Sequence, residues 1–358
     1  MCIWLCRIFN ICWERGGVPK EWQEAVVLPV YKGNGNKRDC GNFRGIIMFN
    51  IIGKVYGRIL IERGLTEGLV GEEQSGFRKG RGCIDQIFAI KCLCEKFRQK
   101  GRDVYMAFMD LEKAYDRVDR EALWVILSKY GIRGKLLDAV KGFYFDSRAC
   151  VRVDGVSGEM FKVKVGLRQG CVMSPWLFNL YMDSVVREVK RECREDGLGL
   201  KRINGGGLWR VNVLLFADDT VLLGESKENL QRLVTVFNRV CMKRKLSVNG
   251  EKSKVMRVGE NGLQRNMRIR MERVVLDQVD RFVYLGVELS TLGGMKMEID
   301  HRLNEGNSAL GVVVELWKKG NMSIGITRRI YECVVVPKVM YGSEMWVLNS
   351  DDRQVGSI

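Results

Sequence analysis

The sequence predicts an α+β fold, and three observations lead to that class. Segments with helical apolar spacing and short apolar strands follow one another irregularly, without the βαβα repeat of a doubly wound sheet. A hydrophobic content of 46% in 358 residues is ample for a packed core. Glycine, with 40 residues against 4 prolines, marks most boundaries between segments. The length fits one large domain or roughly two to three subdomains.

The predicted elements follow from local patterns in chain order. Residues 2–13 predict an amphipathic helix with Trp4, Ile8 and Ile11 on its apolar face. Apolar runs predict strands over 25–31, 104–109 and 281–289 and a hairpin over 211–223, and helical spacing predicts helices over 84–97, 119–130, 174–189 and from 295 onward. Ser174 as N-cap and Pro175 in the first turn indicate where the third of these helices begins.

The charge and cysteine content narrow the possible functions. The chain has 59 Lys and Arg against 43 Asp and Glu, a net charge of +16, which predicts a polyanionic partner such as nucleic acid or an anionic membrane surface. No apolar run is long enough to predict a membrane span. The twelve cysteines contain no Cys-x-x-Cys, and His301 is the single histidine, which argues against zinc sites and Ser-His-Asp triads. We therefore expect reduced thiols in an intracellular protein.

Three aspartates stand among apolar residues. Asp110 ends the strand 104–109, and Asp218 and Asp219 interrupt the hairpin 211–223. Ionised carboxylates are costly in such surroundings unless a cation compensates them, and oxygen ligands without His or Cys nearby favour Mg²⁺ over zinc. Three converging carboxylates can hold two Mg²⁺ ions about 3.5–4 Å apart, the arrangement used for in-line phosphoryl transfer. The alternative is an Asp-Asp pair that only forms an exposed hairpin turn.

Several motifs, in this order, resemble those of reverse transcriptases from non-LTR (LINE-like, jockey-like) retrotransposons. They are Asn42–Ile46, Gln74–Arg78, Phe108–Asp116, Gly166–Asn179, Phe216–Asp219, Asn249–Ser253, Phe282–Gly286 and Pro337–Trp346. No single motif is decisive, but together they cover nearly the whole chain. The resemblance implies a right-hand polymerase, α+β in class, with an antiparallel palm sheet, mixed fingers and a helical thumb. Fingers and palm would occupy 1–288, and the thumb, whole or truncated, 289–358.

The resemblance also implies an activity and its partners. The chain would be an RNA-directed DNA polymerase of a retrotransposon that extends a primer 3′-hydroxyl with dNTPs by two-metal phosphoryl transfer. It would bind an RNA template, a DNA primer, dNTPs and two Mg²⁺ ions, with no membrane, and would act inside the cell, in the nucleus at the site of integration. No pattern in the sequence predicts an oligomeric state or contains a targeting signal.

The resemblance carries roles over to individual residues. Asp110, Asp218 and Asp219 would hold the two Mg²⁺ ions. Tyr115 would lie beneath the incoming sugar and exclude a 2′-hydroxyl, so that dNTPs are selected by steric exclusion; the alternative is a plain core aromatic. Lys252 would protonate the pyrophosphate leaving group, unless it is an ordinary surface lysine.

Other matching residues are implied to bind substrate or nucleic acid. Arg44 and Lys32 would grip the triphosphate, although Lys32 lies in a basic loop that could contact only backbone. Gln169 would lie near the templating pair, where Gly166 and Gly170 permit a close backbone approach. The implied nucleic-acid contacts are Arg78, Lys79, Arg81, Phe282, Tyr284 and Gly286. Residues 241–273 carry a local charge of +7, which predicts phosphate contacts or, alternatively, an ordinary solvated face.

The sequence departs from the family pattern in a few places. Gly45 stands where proline usually follows the arginine of this motif, which is Arg44 here. Gly64 cuts into what should be a continuing helix over the short stretch 58–66. The sequence carries no upstream endonuclease, downstream Cys/His zinc motif or RNase H, which predicts an isolated or truncated polymerase core. Two rival functions therefore remain: a catalytically dead remnant that only binds nucleic acid, and a basic protein of membrane surfaces or ribosomes. The second leaves the three aspartates unexplained.

Overall fold

The computed structural model describes residues 2–64, 68–201, 208–259, 267–291, 296–320 and 323–346. The helices are α1 (Cys2–Arg15), α2 (Lys20–Gln23), α3 (Ile51–Gly64), α4 (Cys83–Arg98), α5 (Ala114–Arg117), α6 (Arg120–Lys129), α7 (Gly134–Gly142), α8 (Ser174–Glu192), α9 (Lys227–Lys243), α10 (Lys296–Lys319), α11 (Ile324–Ile330) and α12 (Val336–Met340). Short 3₁₀ turns cover Cys40–Asn42 and Ser343–Met345, and a π-helical turn, Tyr331–Val335, joins α11 to α12.

The strands are β1 (Glu24–Tyr31), β2 (Phe43–Met48), β3 (Val104–Leu111), β4 (Arg148–Val153), β5 (Val156–Ser157), β6 (Phe161–Lys162), β7 (Leu198–Lys201), β8 (Leu208–Val211), β9 (Val213–Phe216), β10 (Asp219–Gly224), β11 (Val248–Val258), β12 (Arg270–Met271), β13 (Val274–Val275), β14 (Asp277–Gln278), β15 (Arg281–Tyr284) and β16 (Val287–Ser290). The predicted hairpin over 211–223 is confirmed as β9 and β10. The mixture of helices and irregularly ordered strands confirms the α+β class.

Two larger sheets organise these strands. The N-terminal sheet has the order β2-β1-β4-β5, with β6 also paired to β4, and only β1 and β4 run parallel in it. The central sheet has the order β14-β11-β3-β10-β9, with antiparallel neighbours except for the short parallel pair of β11 and β14. The antiparallel sheet implied by the motifs is therefore present, with one parallel strand at its edge.

Helices cover both faces of the central sheet. Side chains from α6, α8 and α9 form the larger core with alternate strand residues such as Ala107 and Met109. Side chains from α4 form a second core with the intervening residues, among them Met106 and Phe108. This alternation follows from the two-residue period of a strand, and it makes β3 a central strand with apolar contacts on both faces.

Most predicted helix boundaries are confirmed, with two corrections. Asp119 caps α6, since its carboxylate accepts hydrogen bonds from the Glu121 N–H at 2.9 Å and the Ala122 N–H at 3.2 Å. Ser174 is the first residue of α8, and Met173 occupies the N-cap position. The Ser174 hydroxyl donates to the Arg168 carbonyl at 2.7 Å and accepts no hydrogen bond from the first turn of the helix. The apolar face predicted for the first helix is wrong, because that helix packs through neighbouring positions.

The burial of α1 makes this second correction concrete. Phe9 and Cys12 are buried, whereas Trp4 is 67% exposed and Ile11 is 52% exposed. Phe9 stacks on Tyr56 of α3 with ring centroids 5.3 Å apart. Helical spacing alone fits both faces of this apolar segment, and the partner aromatic ring decides which one is buried.

Gly64 is the last residue of α3 and packs closely against α8. A Cβ atom there would lie 2.9 Å from Cη2 of Trp176, so a larger residue would need the indole ring to move. Gly64 was expected to interrupt a helix over 58–66, and in this structure it permits a close contact between α3 and α8. Residues 65 and 66 lie outside the described residues.

The C-terminal region is helical, as expected, but its helix begins at Lys296 and the position 295 lies outside the described residues. Ile299 and Val313 are buried, while Leu310 and Trp317, which stand at the same helical spacing, are 37% and 52% exposed. The boundary between palm and thumb predicted at 288/289 falls inside strand β16. No observation tests where the thumb begins, so this boundary stays a prediction.

Among the described residues, no helix combines the length and the apolar character that crossing a bilayer requires. All twelve cysteines are described, and each is a free thiol.

Candidate functional site

The central sheet brings the three predicted aspartates to one place. Asp110 lies in β3, and Asp218 and Asp219 lie at the β9–β10 hairpin. Thr220 pairs with Met109 in the antiparallel register, so the next position along sets Asp219 opposite Asp110. On its other side, Asp110 pairs with Asn249 of β11. Two motifs far apart in the sequence therefore meet on neighbouring strands.

The three carboxylates influence one another electrostatically. Burial raises the pKa of Asp110; Lys252 opposes that shift, and Asp218 and Glu112 add to it. Burial also raises the pKa of Asp218. The side chain of Asp219 is accessible to solvent, yet desolvation by the surrounding protein and the charges of Asp218 and Asp110 raise its pKa to about 6. The site therefore concentrates negative charge that the described protein groups compensate only in part.

This donor set suits a hard divalent cation. Across the described ranges, no three Asp, Glu, Cys or His side chains lie close enough to form a metal site as they stand. The three aspartates nevertheless offer only oxygen donors, which Mg²⁺ prefers, and the charge of Asp218 raises the pKa of both Asp110 and Asp219. A cation among them would relieve that repulsion, so the residues fit the two Mg²⁺ ions implied by the motifs.

Tyr115 lies at the edge of this site. Its ring is half-buried and stacks on Phe178 of α8, with centroids 4.4 Å apart and an interplanar angle of 16°. Its hydroxyl is buried without a hydrogen-bond partner among the described residues. Burial and the charge of Asp218 raise the pKa of this phenol, which indicates that its polar end lies near the carboxylates. The ring is thus a packed aromatic and also a neighbour of the site.

Lys252 also lies near the aspartates. The register between β3 and β11 shifts between Asn249 and Lys254, and Lys252 is exposed on this bulge. Its charge lowers the pKa of Asp110, against the effect of burial. Next to it, Ser253 accepts a hydrogen bond from the Asp110 N–H at 3.1 Å. The bulge therefore holds a cation beside the central carboxylate.

The residues predicted to bind the triphosphate lie on the N-terminal sheet. Arg44 of β2 is exposed, pairs in register with Val30 of β1, and forms no ion pair within the described part of the chain. The ammonium group of Lys32 donates to the Gly41 carbonyl at 2.7 Å, a contact within its own loop. Both remain predicted substrate contacts, and only the guanidinium of Arg44 has no competing partner within the parts of the chain that the structure describes.

Gln169 is exposed on a loop between two glycines that hold the loop in place. Gly166 has a φ of +81°, and a Cβ there would lie 2.6 Å from the Asp116 carbonyl oxygen. Gly170 has a φ of +87°, and a Cβ there would lie 2.6 Å from the Ile47 carbonyl oxygen. The close approaches that these glycines permit are therefore to the backbone of the protein itself. They fix the loop of Gln169 between α5 and β2.

The basic loop after residue 76 is largely engaged within the protein. Arg78 donates to the carbonyls of Gly71 at 2.9 Å and Gln74 at 3.0 Å and also pairs with Glu72. Arg81 pairs with the same glutamate. Lys79 is exposed and has no ion pair with any described residue. Arg78 thus organises its own loop, and a nucleic-acid contact stays a prediction for Arg78, Lys79 and Arg81.

The hairpin of β15 and β16 packs against the central sheet. Phe282 stacks on Phe108 with centroids 4.1 Å apart. Tyr284 is only 3% exposed and belongs to the core, so its contact with nucleic acid stays a prediction that would require this side chain to become accessible. Gly286 has a φ of +82°, and its carbonyl accepts a hydrogen bond from Arg302 of α10. The hairpin turn is thus tied to the C-terminal helices.

The basic stretch 241–273 is partly neutralised by internal ion pairs, and 260–266 lie outside the described residues. Five of its cations pair with carboxylates elsewhere: Lys243 and Arg244 with Glu188, Lys245 with Asp119, Lys254 with Asp277, and Arg257 with Asp103. Arg268, Arg270 and Arg273 are exposed and unpaired within the described residues. Only part of the local charge is therefore available to a polyanion.

Sequence comparison places these residues in a known context. The family described as reverse transcriptase (RNA-dependent DNA polymerase) matches residues 35–289. The chain is 24% identical over 302 residues to the Pol polyprotein of the type-1 retrotransposable element R2 of Nasonia vitripennis, covering 82% of this chain and 28% of the relative. It is 23% identical over 363 residues to the RNA-directed DNA polymerase from the mobile element jockey of Drosophila melanogaster, covering 96% and 37%. The chain thus spans well under half the length of these relatives.

Structural comparison gives the same architecture. The telomerase of Candida tropicalis in complex with a fragment of telomeric RNA superposes with a TM-score of 0.52 at 13% sequence identity, covering 95% of this chain and 57% of that one. An apo form of that telomerase, truncated from its C-terminal domain, superposes with a TM-score of 0.51 at 16% identity, covering 82% and 59%. At these identities the likeness concerns the fold, and it confirms a polymerase fold of the reverse transcriptase type.

Proposed function

The chain belongs to the reverse transcriptase (RNA-dependent DNA polymerase) family, and from this membership we propose that it extends a DNA primer on an RNA template. In the proposed reaction the primer 3′-hydroxyl attacks the α-phosphate of a dNTP and pyrophosphate leaves. The observation that carries the proposal is the meeting of Asp110, Asp218 and Asp219 on neighbouring strands, where the charge of Asp218 raises the pKa of both Asp110 and Asp219. A protein that only binds nucleic acid gains nothing from such repulsion.

The proposed roles follow from the chemistry of the side chains. Asp110, Asp218 and Asp219 would hold two Mg²⁺ ions, which supply charge stabilisation for the oxygen atoms of the transferring phosphoryl group when bound. Lys252 lies close enough to Asp110 to influence its pKa and would protonate the leaving group. The aspartates and this lysine would act mainly by electrostatics and positioning, which dominate phosphoryl transfer.

The nucleotide would lie between the central and N-terminal sheets. Tyr115 would exclude a 2′-hydroxyl, and its stacking on Phe178 would keep the ring from moving aside. Arg44 would bind the triphosphate through its planar guanidinium. Gln169 would contact the nucleotide or templating base from a loop that is held in place where Gly166 and Gly170 lie against the backbone of neighbouring segments. Lys32 would contribute only if its bond to Gly41 opens.

The relatives suggest the biological setting. Several are polymerases of retrotransposable elements, so we propose that this chain acts in the copying of such an element, inside the cell and in the nucleus at the site of integration. The template–primer duplex would contact the exposed cations Arg268, Arg270 and Arg273 through its phosphates, without reading sequence.

The alternative of a dead remnant loses one of its supports. It rested on Gly64 as a defect, yet Gly64 allows α3 to approach Trp176 closely in a well-packed core. The test is primer extension on poly(rA)/oligo(dT) with dTTP and Mg²⁺, beside an Asp218→Ala variant. The proposal predicts incorporation by the natural chain and none above background by the variant. If both fail to incorporate dTTP but both still shift the template–primer in a gel, the chain is a binding remnant.

A further inference from the structure

The turn that carries Asp218 has an unusual backbone. Phe216 pairs with Asp219, so the hairpin closes through only two residues, Ala217 and Asp218. Ala217 has a φ of +57°, in the left-handed region that glycine or asparagine normally occupies. An alanine there costs on the order of 1 kcal/mol, so something outside the hairpin must hold this conformation.

A single buried side chain holds it. Gln74 is 2% exposed, and its amide oxygen accepts a hydrogen bond from the Ala217 N–H at 2.9 Å. Its amide nitrogen donates to the Ala217 carbonyl at 3.2 Å. Both backbone polar groups of the turn residue are therefore satisfied by one glutamine, which fixes the peptide planes on either side of Ala217. The plane on the C-terminal side leads directly into Asp218.

The segment around Gln74 is anchored independently of the turn. It lies beside β9 in a parallel bridge: the Leu215 N–H donates to the Glu73 carbonyl at 2.8 Å, and the Ser75 N–H donates to the Leu215 carbonyl at 2.9 Å. Arg78 donates to the Gln74 carbonyl, and Asn179 of α8 donates to the Gly76 carbonyl at 2.8 Å. Gln74 is thus a rigid support, held from three sides.

Gly76 shows how closely this segment and the turn approach. A Cβ on Gly76 would lie 3.0 Å from the Cα of Ala217 and closer still to its nitrogen, so any larger residue would push the two backbones apart. The Gly76 N–H also donates to the Gln74 amide oxygen at 2.8 Å, which orients the amide for its two bonds to Ala217. Both residues of the Gln-x-Gly spacing therefore act on the same turn: Gln74 binds Ala217, and Gly76 allows the two backbones to lie close together and orients the Gln74 amide.

We propose that Gln74 is a positioning residue that sets the Ala217–Asp218 backbone and thereby the divalent-cation affinity of the three aspartates. It touches none of the reacting groups; it acts through Ala217 and keeps Asp218 and Asp219 directed toward Asp110. Without it, the turn relaxes toward ordinary hairpin geometries, and the carboxylates spread apart. This inference rests on the proposed polymerase function only for its consequence in catalysis, since the contact itself concerns the fold.

The test uses the full chain with Gln74→Met, which keeps the approximate volume but loses both hydrogen bonds. The matched control is Ser75→Ala, which removes a buried bond from the same segment, Ser75 Oγ to Gln86 at 2.8 Å, and leaves the Gln74 amide in place. Two measurements are made on the protein without substrates: hydrogen exchange of the Ala217 amide, and Mn²⁺ binding followed by electron paramagnetic resonance. The Mg²⁺ concentration for half-maximal primer extension and KM for template–primer are measured beside them.

In the natural chain, the Ala217 amide should exchange as slowly as the amides of β10. Gln74→Met should speed its exchange at least about tenfold, the effect of losing one buried hydrogen bond. It should also weaken Mn²⁺ binding and raise the Mg²⁺ midpoint by about tenfold, with KM for template–primer unchanged. Ser75→Ala should leave all of these within about twofold.

Two results would overturn the inference. One is an Ala217 amide in the natural chain that exchanges like an unprotected turn amide, a measurement that does not depend on any variant folding. The other is Mn²⁺ affinity in Gln74→Met equal to that of Ser75→Ala. If the natural chain extends no primer but shows the predicted exchange and Mn²⁺ binding, the proposed function fails while the role of Gln74 stands.

Discussion

Replacing Asp219 with asparagine should make the fold more stable at neutral pH while it removes a proposed metal ligand. Desolvation by the surrounding protein and the charges of Asp218 and Asp110 raise the pKa of Asp219 from the usual 3.8 to about 6, although the side chain still contacts solvent. A shift of that size corresponds to about 3 kcal/mol if no screening occurs. Because the Asp219 side chain is exposed, solvent screening reduces the expected gain to about 1 kcal/mol.

The sign of this effect depends on pH. A carboxyl whose pKa is raised by folding imposes no penalty below its unfolded pKa of 3.8, and the penalty grows as the pH rises toward about 6. Asp219→Asn should therefore be more stable than the natural chain at about pH 7.5 and equally stable at about pH 3.5. The measurement is urea unfolding followed by circular dichroism, in the presence of EDTA.

The control for this experiment is Asp280→Asn, which changes an exposed aspartate without side-chain partners among the described residues. It should alter the free energy of unfolding by less than about 0.5 kcal/mol at either pH. A stability gain in Asp219→Asn that is equal at both pH values would rule out this explanation, because such a gain could not come from a carboxylate charge. Loss of stability at neutral pH would refute it as well.

Three further outcomes are expected. Gly64→Ala should destabilise the chain by about 1–3 kcal/mol, because the added methyl group would clash with the Trp176 ring. Gly311 lies in the middle of α10 with open space around it, so Gly311→Ala should stabilise the chain by about 0.5–1 kcal/mol. Thermal unfolding of both variants measures the two effects. Arg257→Gln should lower the unfolding temperature and leave the salt dependence of RNA binding unchanged, because the Arg257 guanidinium is buried against Asp103. A smaller salt dependence of RNA binding in the variant would show that Arg257 contacts phosphate instead. Tyr115→Val should raise rNTP incorporation relative to dNTP in primer extension, and unchanged discrimination would remove the proposed steric role.

Local signals in the sequence predicted much of the fold. The helix over 119–130, Pro175 in a first turn and the apolar spacing of α4 and α8 each depend on neighbours within a few residues, and these predictions are confirmed. The hairpin with acids at its turn was equally local. The α+β class follows because such elements, once located, have few ways to share a core.

Contacts between distant segments could not be predicted in the same way. Arg78 looks like a surface cation, but its guanidinium is bound by carbonyls that the fold brings beside it. Tyr284 lies in a short alternating strand, and nothing in that alternation tells which face meets Phe108. Gln74 was part of a motif, yet its partner Ala217 lies 143 residues further along the chain. The motif indicated that the glutamine matters, and only the structure indicates what it contacts.

RNA-directed DNA synthesis by this chain should depend on the carboxylates of the central sheet. The rate of dTTP incorporation on poly(rA)/oligo(dT) is measured for Asp110→Asn and for Asp154→Asn, the same change at an exposed turn residue on the N-terminal sheet. Asp110→Asn should lose at least about a hundredfold in rate, because it removes transition-state stabilisation, and Asp154→Asn at most about twofold. Equal incorporation by the two variants would show that the Asp110 carboxylate takes no part in the reaction.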